Sequence, residues 1–441
     1  MEHPRRRLLM NTLFGAGLLG LRSLATGIPI SILANPRRAL AGPTPTPTPS
    51  AAQYIILSTS AEGDPLNCNA PGTYLDPGIA HPMAPTMAPT PITLGGTSHL
   101  AARPWSMLPR ALLDRTCFFH HATYSVVHSD EQRVLALNGH TLDNEMLVSL
   151  LAAELAPRLG TIQPAPIVLG PRNTSESVVF QRQPQPIMAP TALALLLGRP
   201  TGPIGQLTAL RDRDLNRLNA LIRCEGTPAQ AAFIDQYARS QSQVRAVSED
   251  LLSVLQGIRD DGVEAQILAA VTLIRMNVAP VISLNIPFGG DNHGDTGLMK
   301  EATQTVSGVA SLGTLWSTLV AHGLQDRVSF LSLNVFGRTM STANTMAGRA
   351  HNANHHVAMM FGAPFAASVI GGVEPMQTDY GAMSIDPATG RGIPGGRGEI
   401  AFDDTLSSMA VTFGRGVGVA APFLEQHILG GAPVAAALAT G

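Results

Sequence analysis

The sequence is poor in charged residues, in aromatic residues and in cysteine. Only 14% of its 441 residues are Asp, Glu, Lys or Arg and only 5% are aromatic, whereas 45% are hydrophobic. Disordered chains are rich in charge and poor in apolar residues, so disorder over the whole length is excluded. The formal net charge is −2, and nucleic-acid-binding domains normally carry a basic patch, so no nucleic-acid partner is expected. The three cysteines allow at most one disulfide, which cannot be what holds a chain of this size together.

The first 41 residues carry an excess of arginine. They hold six arginines and one acidic residue, so the rest of the chain has a net charge of about −7. The basic start at residues 5–7, the apolar run 8–21 and the small residues within 39–41 are together typical of a cleaved signal peptide. Arg22 interrupts the apolar run after 14 residues, and a membrane-spanning helix needs about 20. We therefore predict a signal peptide over 1–41 and no membrane span in the mature protein.

Paired arginines followed by two leucines indicate the twin-arginine export route. The expected partner is then the twin-arginine export machinery, and the expected location is the periplasm or the cell exterior. The alternatives are the general secretion route and an uncleaved membrane anchor. Residues 42–52 are predicted to be a Pro/Thr-rich linker, because alternating prolines keep the backbone extended. Residues 53–441 are predicted to form a single α/β domain with a helical segment at about 205–276.

Short apolar runs alternate with helical patterns along this domain. Strands are predicted at 54–57, 117–123, 280–286 and 328–333, and helices at 105–115, 142–155, 263–276 and 297–322, with a further helix from Thr227. Pro157 is expected to stop the second of these helices. Residues 76–104 are expected to be irregular, and the glycines of 388–398 to form a hairpin loop. Continuous apolar strands alternating with helices predict a mostly parallel sheet with helices on both faces.

Polar residues follow the predicted strands, where ligands of parallel sheets bind. Asp64 follows the first strand, Asp291 and His293 follow the third, and His351 lies in the long segment after the fourth. Asp and His side chains suit zinc or another divalent cation, and loops from separate strands can converge on one ion. For any single histidine, a hydrogen-bonded surface residue is the alternative interpretation.

Five short motifs give the sequence a family resemblance. In chain order they are Glu62-Gly63-Asp64-Pro65-Leu66-Asn67, His128-Ser129, Asp291-Asn292-His293, Phe336-Gly337-Arg338-Thr339 and Gly348-Arg349-Ala350-His351. With the export signal, this ordered set resembles the domain-of-unknown-function 1501 family, which is grouped with the alkaline phosphatase and sulfatase-like superfamily. The resemblance covers nearly the whole mature chain. It implies an α/β fold, an alkaline-phosphatase-like sandwich, whose strand-end loops hold one or two divalent metals.

The resemblance also implies roles for individual residues. By match to its motifs, Asp64, Asp291, His293 and His351 are the candidate metal ligands, and Ser129 is the candidate nucleophile. The bound ion would be zinc, calcium or magnesium. The substrate would be an anionic small molecule, a phosphate or sulfate ester that the metal polarises.

Two departures from the family pattern weaken the site. Val335 replaces a glutamate and Ala350 replaces an aspartate, and neither side chain can coordinate a cation. We therefore expect an exported sulfatase/phosphatase-like protein with a degenerate metal site, one divalent ion at most, and little or no catalysis. The alternatives are an active metal-dependent hydrolase of phosphate or sulfate esters and, on the linker alone, a structural protein of the cell envelope. Arg338 and Arg349 either bind the anionic substrate or pair with acids of the loops.

Overall fold

The protein is described here by a computed structural model. It describes residues 52–74, 76–171, 178–197, 203–227, 231, 254–255, 257–343 and 347–439. The predicted signal peptide, nearly all of the predicted linker and most of the predicted helix from Thr227 lie outside these residues.

Within the described part of the chain, eight strands form one central sheet. In chain order they are β1 (Tyr54–Ser58), β2 (Thr116–His121), β3 (Ile167–Leu169), β4 (Ile187–Met188), β5 (Val281–Leu284), β6 (Val328–Ser332), β7 (His356–Phe361) and β8 (Ser368–Ile370). They lie side by side in the order β8-β2-β7-β6-β1-β5-β3-β4. β7 is antiparallel to both of its neighbours and the remaining pairings are parallel, so seven strands share one direction. The predicted α/β fold with a mostly parallel sheet is confirmed.

The helices fall into long and short groups. Those of eight residues or more are α1 (Leu147–Leu159), α2 (Pro190–Leu197), α3 (Pro203–Glu225), α4 (Val263–Arg275), α5 (Met299–Ala321) and α6 (Thr405–Gly416). Shorter α-helical turns are Leu66–Asn69, Arg103–Ser106, Arg110–Leu113, Glu131–Leu135 and Ala421–His427. The two-stranded pairs outside the sheet are Pro89–Leu94 with Thr97–Ala102, Val179–Phe180 with Gln183–Pro184, Gly337–Arg338 with His351–Asn352, Val373–Met376 with Asp379–Ala382, and Ser384–Ile385 with Gly392–Ile393.

The sheet is buried on both faces. Along β1, Ile56 belongs to the hydrophobic core that α4 and α5 cover, while Ile55 and Leu57 belong to the core that α1 and α6 cover. Successive side chains of a strand point to opposite faces, so a strand between two helical layers must be apolar throughout. This is why the strands read as mostly apolar runs, interrupted only by small buried residues such as Ser283 and Ser329, with polar residues at their ends.

Residues 76–104, which we expected to be irregular, contain a β-hairpin. Its strands Pro89–Leu94 and Thr97–Ala102 pair antiparallel across Gly95 and Gly96. Both glycines have positive φ, 55° and 82°, and two-residue hairpin turns of the favoured type need positive φ at both positions. The prolines in the segment argued against strands, so the Gly-Gly pair was not recognised as a hairpin turn. Proline is nevertheless tolerated on an edge strand.

Pro157 does not end its helix, contrary to the prediction. α1 continues to Leu159 and is closed by Gly160 in the left-handed conformation. A proline in the last turn removes one backbone hydrogen bond, and the packing of Leu151 and Leu155, both fully buried, holds the helix against the sheet. The predicted helix 105–115 also differs from the structure, which has two short helical turns there, Arg103–Ser106 and Arg110–Leu113.

No helix among the described residues combines the length and the apolar character that crossing a bilayer requires. Of the glycines within 388–398, which we expected to form a hairpin loop, only Gly390 lies in the loop between the paired strands Ser384–Ile385 and Gly392–Ile393, and the others lie in the second strand or after it.

Candidate metal centre

Functional side chains gather at one edge of the sheet. The carboxyl ends of β1, β2, β5 and β6 meet there, and because β7 runs in the opposite direction its amino end lies at the same edge. The loops that follow these strands carry the motifs picked out from the sequence. The connectivity therefore brings together residues that are more than 200 positions apart.

Three half-buried histidines converge at this edge. His128 opens a short turn after β2, His293 lies in the loop after β5, and His351 lies in the two-residue strand paired with Gly337–Arg338. One ring nitrogen from each lies within 4.8 Å of the others, so the group can hold a metal ion. Phe336 stacks on the His351 ring at 4.0 Å between centroids and meets His128 edge-on.

Backbone carbonyls orient two of these rings. Nδ1 of His128 donates to the carbonyl oxygen of Ala61 at 2.7 Å, and Nδ1 of His351 donates to that of Val126 at 2.5 Å. A carbonyl oxygen only accepts, so each Nδ1 carries the proton and each Nε2 of the neutral ring keeps a lone pair. This is the arrangement by which metal-binding histidines are usually held in proteins.

The spacing of the nitrogens suits an ion after a small adjustment. Nε2 of His293 lies 2.7 Å from Nε2 of His351, while Nδ1 of His293 is buried without a hydrogen-bond partner among the described residues. Two nitrogens at about 2.1 Å from a tetrahedral zinc ion are about 3.4 Å apart, so the rings would separate by about 0.7 Å. Burial lowers the pKa of His351 against the opposing bond to Val126, and the nearby positive groups lower it further, which favours the neutral, ligating ring.

Asp291 lies beside the three histidines and next to a buried arginine. Its Oδ1 is 3.6 Å from Nε2 of His293 and 3.3 Å from Nη1 of Arg338. Partial burial acts to raise the pKa of Asp291, but the charges of Arg338 and His293 hold it below its ordinary value. Lys300, the only lysine of the chain, is exposed and donates from Nζ to the backbone oxygen of Asp291 at 2.6 Å.

Asp64 takes part in a different cluster. It is buried, accepts the backbone N–H of Leu66 at 2.8 Å and the side-chain amide of Asn334, and lies 3.6 Å from Nε2 of His356. The structure thus brings His293, His351 and Asp291 together, whereas the described contacts of Asp64 are with other groups. The candidate metal centre also includes His128, which the sequence had not indicated as a ligand.

The described contacts of Ser129 do not include the three histidines. Its side chain is exposed and lines a surface groove together with Gln132, Arg133 and Asp143. The residue beside it, His128, is the one that enters the cluster. The proposed role of Ser129 as nucleophile therefore stays a prediction without support from a contact.

The two departures from the family motifs have structural roles. Val335 is fully buried in the core on the α1 and α6 face. Ala350 exchanges backbone hydrogen bonds with Thr339, its N–H donating to Oγ1 of Thr339 at 3.0 Å and its carbonyl accepting the N–H of Thr339 at 2.9 Å. Neither position supplies a ligand atom to the cluster.

Arg349 pairs with an acid, as one of its two interpretations predicted. Its Nε and Nη2 donate to the two carboxylate oxygens of Glu301 at 2.6 and 3.1 Å, and both side chains are buried. Burial acts to raise the pKa of Glu301 and the charge of Arg349 opposes it, with a net rise. Arg338 is fully buried against Asp291 and donates to the carbonyl oxygen of Glu62 at 2.5 Å.

Sequence reasoning missed two groups that contact the site residues, Glu301 and the pair His120 and His121. Glu301 was invisible because it lies in the first turn of α5, where an acid is ordinarily a helix-end residue. His120, His121, His355 and His356 form a second histidine cluster on the paired ends of β2 and β7. The doublets His120-His121 and His355-His356 could have indicated this cluster. When two antiparallel strands are neighbours, the carboxyl end of one lies beside the amino end of the other, so histidines at these ends lie together.

Comparison with known proteins adds no relative. No known family model matches the chain. None of the curated proteins is significantly similar to it in sequence.

Proposed function

We propose that this protein is an exported, alkaline-phosphatase-like protein that binds one divalent metal ion through His128, His293 and His351 and has little or no hydrolytic activity. The observation that carries the proposal is the convergence of one ring nitrogen from each histidine within 4.8 Å. The bonds from His128 and His351 to backbone carbonyls support it, because they leave a lone pair on each ring for the ion.

The ligand chemistry favours zinc. Calcium and magnesium prefer oxygen ligands, whereas imidazole nitrogen suits zinc and its neighbours in the first transition row. Three imidazoles with one adjacent carboxylate, Asp291, give zinc a set of donors it commonly accepts. Among the ions implied by the family resemblance, we therefore place zinc before calcium and magnesium.

The missing ligands argue for a single ion. Two-metal hydrolysis needs a second ion held about 4 Å from the first. Val335 and Ala350 stand at positions where the family that this sequence resembles has acidic residues. Instead, Val335 packs in the hydrophobic core and Ala350 hydrogen-bonds Thr339. Asp291, the carboxylate nearest the histidines, also faces the charge of Arg338.

Metal titration tests the proposal. Metal-free protein is expected to bind one equivalent of zinc at pH 7.5, and His128→Ala, His293→Ala and His351→Ala are each expected to bind at least about 100-fold more weakly, because two nitrogens remain. His427→Ala is the matched control, since that ring stacks on Phe423 and bonds only to its own helix. Calorimetry and elemental analysis give affinity and stoichiometry. Wild-type protein that binds no zinc would refute the proposal.

The hydrolase is the second candidate, and one observation favours it. Three histidine ligands leave a fourth position open, as catalytic zinc sites do, and the buried guanidinium of Arg338 lies 3.3 Å from Asp291. When bound, such an ion supplies Lewis-acid activation of water or of an ester oxygen. Arg338 would orient an anionic ester, and Asp291 would hold Arg338 in place.

A turnover assay separates the two candidates. The zinc-loaded protein is expected to release no p-nitrophenol from p-nitrophenyl phosphate or p-nitrophenyl sulfate above the level of the His351→Ala variant. Turnover that disappears in both Asp291→Ala and His351→Ala would instead establish the hydrolase. A contaminating enzyme is recognised by activity that persists in both variants.

A further inference from the structure

A buried ion pair joins the two loops that carry His293 and His351. Arg349 and Glu301 are 2% and 0% exposed, and the guanidinium meets the carboxylate in a two-pronged contact at 2.6 and 3.1 Å. The remaining donors of Arg349 reach the carbonyl oxygens of Thr339 and Ala80, both at 2.7 Å. One guanidinium therefore connects α5 with the backbone at Thr339 and at Ala80.

The same pair reaches both histidine loops. Asn292, which directly precedes His293, donates its side-chain amide to Glu301 at 3.1 Å. Arg349 lies two residues before His351, and its backbone N–H donates to the carbonyl oxygen of Asn292 at 3.3 Å. The N–H of Gly348 donates to the carbonyl oxygen of His293 at 3.0 Å.

The two loops approach so closely that a side chain has no room between them. A Cβ added at Gly348 would lie 1.9 Å from the carbonyl oxygen of Asn292 and 2.9 Å from that of His293. Backbone atoms, unlike the end of a flexible side chain, cannot rotate away to relieve such a clash. The separation of the two histidines is thus set by backbone contact and by the buried pair behind it.

We infer that Glu301 and Arg349 are positioning residues that hold His293 and His351 at the separation a single metal ion requires. This inference rests on the metal-binding function proposed above. Neither side chain needs to touch the ion. They fix the backbone at Asn292, which directly precedes His293, and at Arg349, two residues before His351.

Space filling alone does not account for this pair. Apolar residues of similar volume often replace a buried ion pair without loss of stability. Leucine and methionine would fill the space of Glu301 and Arg349, but they can hydrogen-bond neither Asn292 nor the carbonyl oxygens of Ala80 and Thr339. Such a replacement should preserve the fold and loosen the metal site.

Cobalt(II) binding tests the inference, because cobalt reports both affinity and ligand geometry through its visible spectrum. The variants are Glu301→Gln and the double variant Glu301→Leu/Arg349→Met. Both are expected to bind cobalt about 10- to 100-fold more weakly than the wild type, as is typical when a partner of a metal ligand is lost, and with an altered spectrum. The double variant is expected to keep a wild-type circular dichroism spectrum.

A surface pair serves as matched control. Arg110 and Asp114 form an ion pair in which both side chains are about half exposed, and Arg110→Met/Asp114→Leu should leave the affinity and the cobalt spectrum unchanged. Wild-type affinity and spectrum in Glu301→Gln and in the double variant would overturn the inference while leaving the metal function intact. A wild type that binds no cobalt and no zinc would overturn both. If the double variant does not fold, the cobalt affinity and the visible spectrum of Glu301→Gln and of Arg349→Lys test the inference instead.

Discussion

Acidification from pH 7.5 to about 4.5 is expected to destabilise this protein steeply, because several histidines are buried and uncharged in the fold. Burial lowers the pKa of His120 to about 4 and that of His121 to about 3, the bonds to backbone oxygens opposing the shift in both. Burial also lowers the pKa of His355, and the neighbouring histidines add to the effect. All three side chains are fully inaccessible to solvent.

The sign follows from where each state binds protons. In the unfolded chain these histidines titrate near their ordinary pKa of about 6.5, so below that pH the unfolded state binds protons that the folded state does not. Stability is therefore complete above about pH 6.5 and falls as the pH drops toward the folded pKa values. Each histidine lowers the free energy of unfolding by about 1.4 kcal/mol per pH unit, so three histidines lower it by about 4 kcal/mol per unit. The total free energy of unfolding of a typical protein is about 5–15 kcal/mol.

Urea denaturation at pH 7.5, 6.5, 5.5 and 5.0 measures the effect. A chelator should be present throughout, so that release of metal does not contribute to the pH dependence. His427→Ala should reproduce the wild-type dependence, because its ring lies partly exposed on a peripheral helix. A free energy of unfolding that stays constant between pH 6.5 and 5.0 would contradict the prediction.

Arg349→Met is expected to be the most destabilising substitution of a charged residue at the site. It leaves Glu301 fully buried without its counter-ion and removes the donors to Ala80 and Thr339. Removal of one partner of a buried pair typically costs about 3–5 kcal/mol. Thermal and urea unfolding at pH 7.5 measure the loss.

The surface pair again supplies the comparison. Arg110→Met removes an ion pair with Asp114 that is half exposed, and exposed pairs spaced four residues apart on a helix contribute at most about 0.5 kcal/mol. A loss below about 1 kcal/mol for Arg349→Met would mean that Glu301 takes up a proton or finds another partner. It would also weaken the positional role assigned to the pair.

The strands were predictable because burial on both faces leaves a simple pattern. The runs around Ile56, Ile282 and Phe330 are mostly apolar and fully buried, and all three lie in the sheet. The elements that were missed depend on contacts distant in sequence. α1 continues past Pro157 because tertiary packing outweighs the lost hydrogen bond, and no local pattern carries that information.

The candidate metal centre was partly predictable from the parallel pairing of the strands. His293 and His351 follow strands, so their meeting at one sheet edge could be expected from parallel pairing. The convergence of His128 with these two histidines could not be expected, because it depends on the path of the loop after β2 and on a hydrogen bond to the carbonyl oxygen of Ala61. Asp64 was assigned from the family resemblance. The described partners of its carboxylate are Leu66, Asn334 and His356, and its N–H donates to the carbonyl oxygen of Phe336.

The single lysine gives this protein a built-in chemical handle. Amine-reactive dyes acylate lysine side chains and the α-amino group, and Lys300 is the one lysine of the chain. Its exposed amine contacts the backbone of Asp291, in the loop that carries His293. A fluorophore attached there would sit at the rim of the candidate metal centre without an engineered cysteine, and a change in its emission on adding zinc would indicate ion binding.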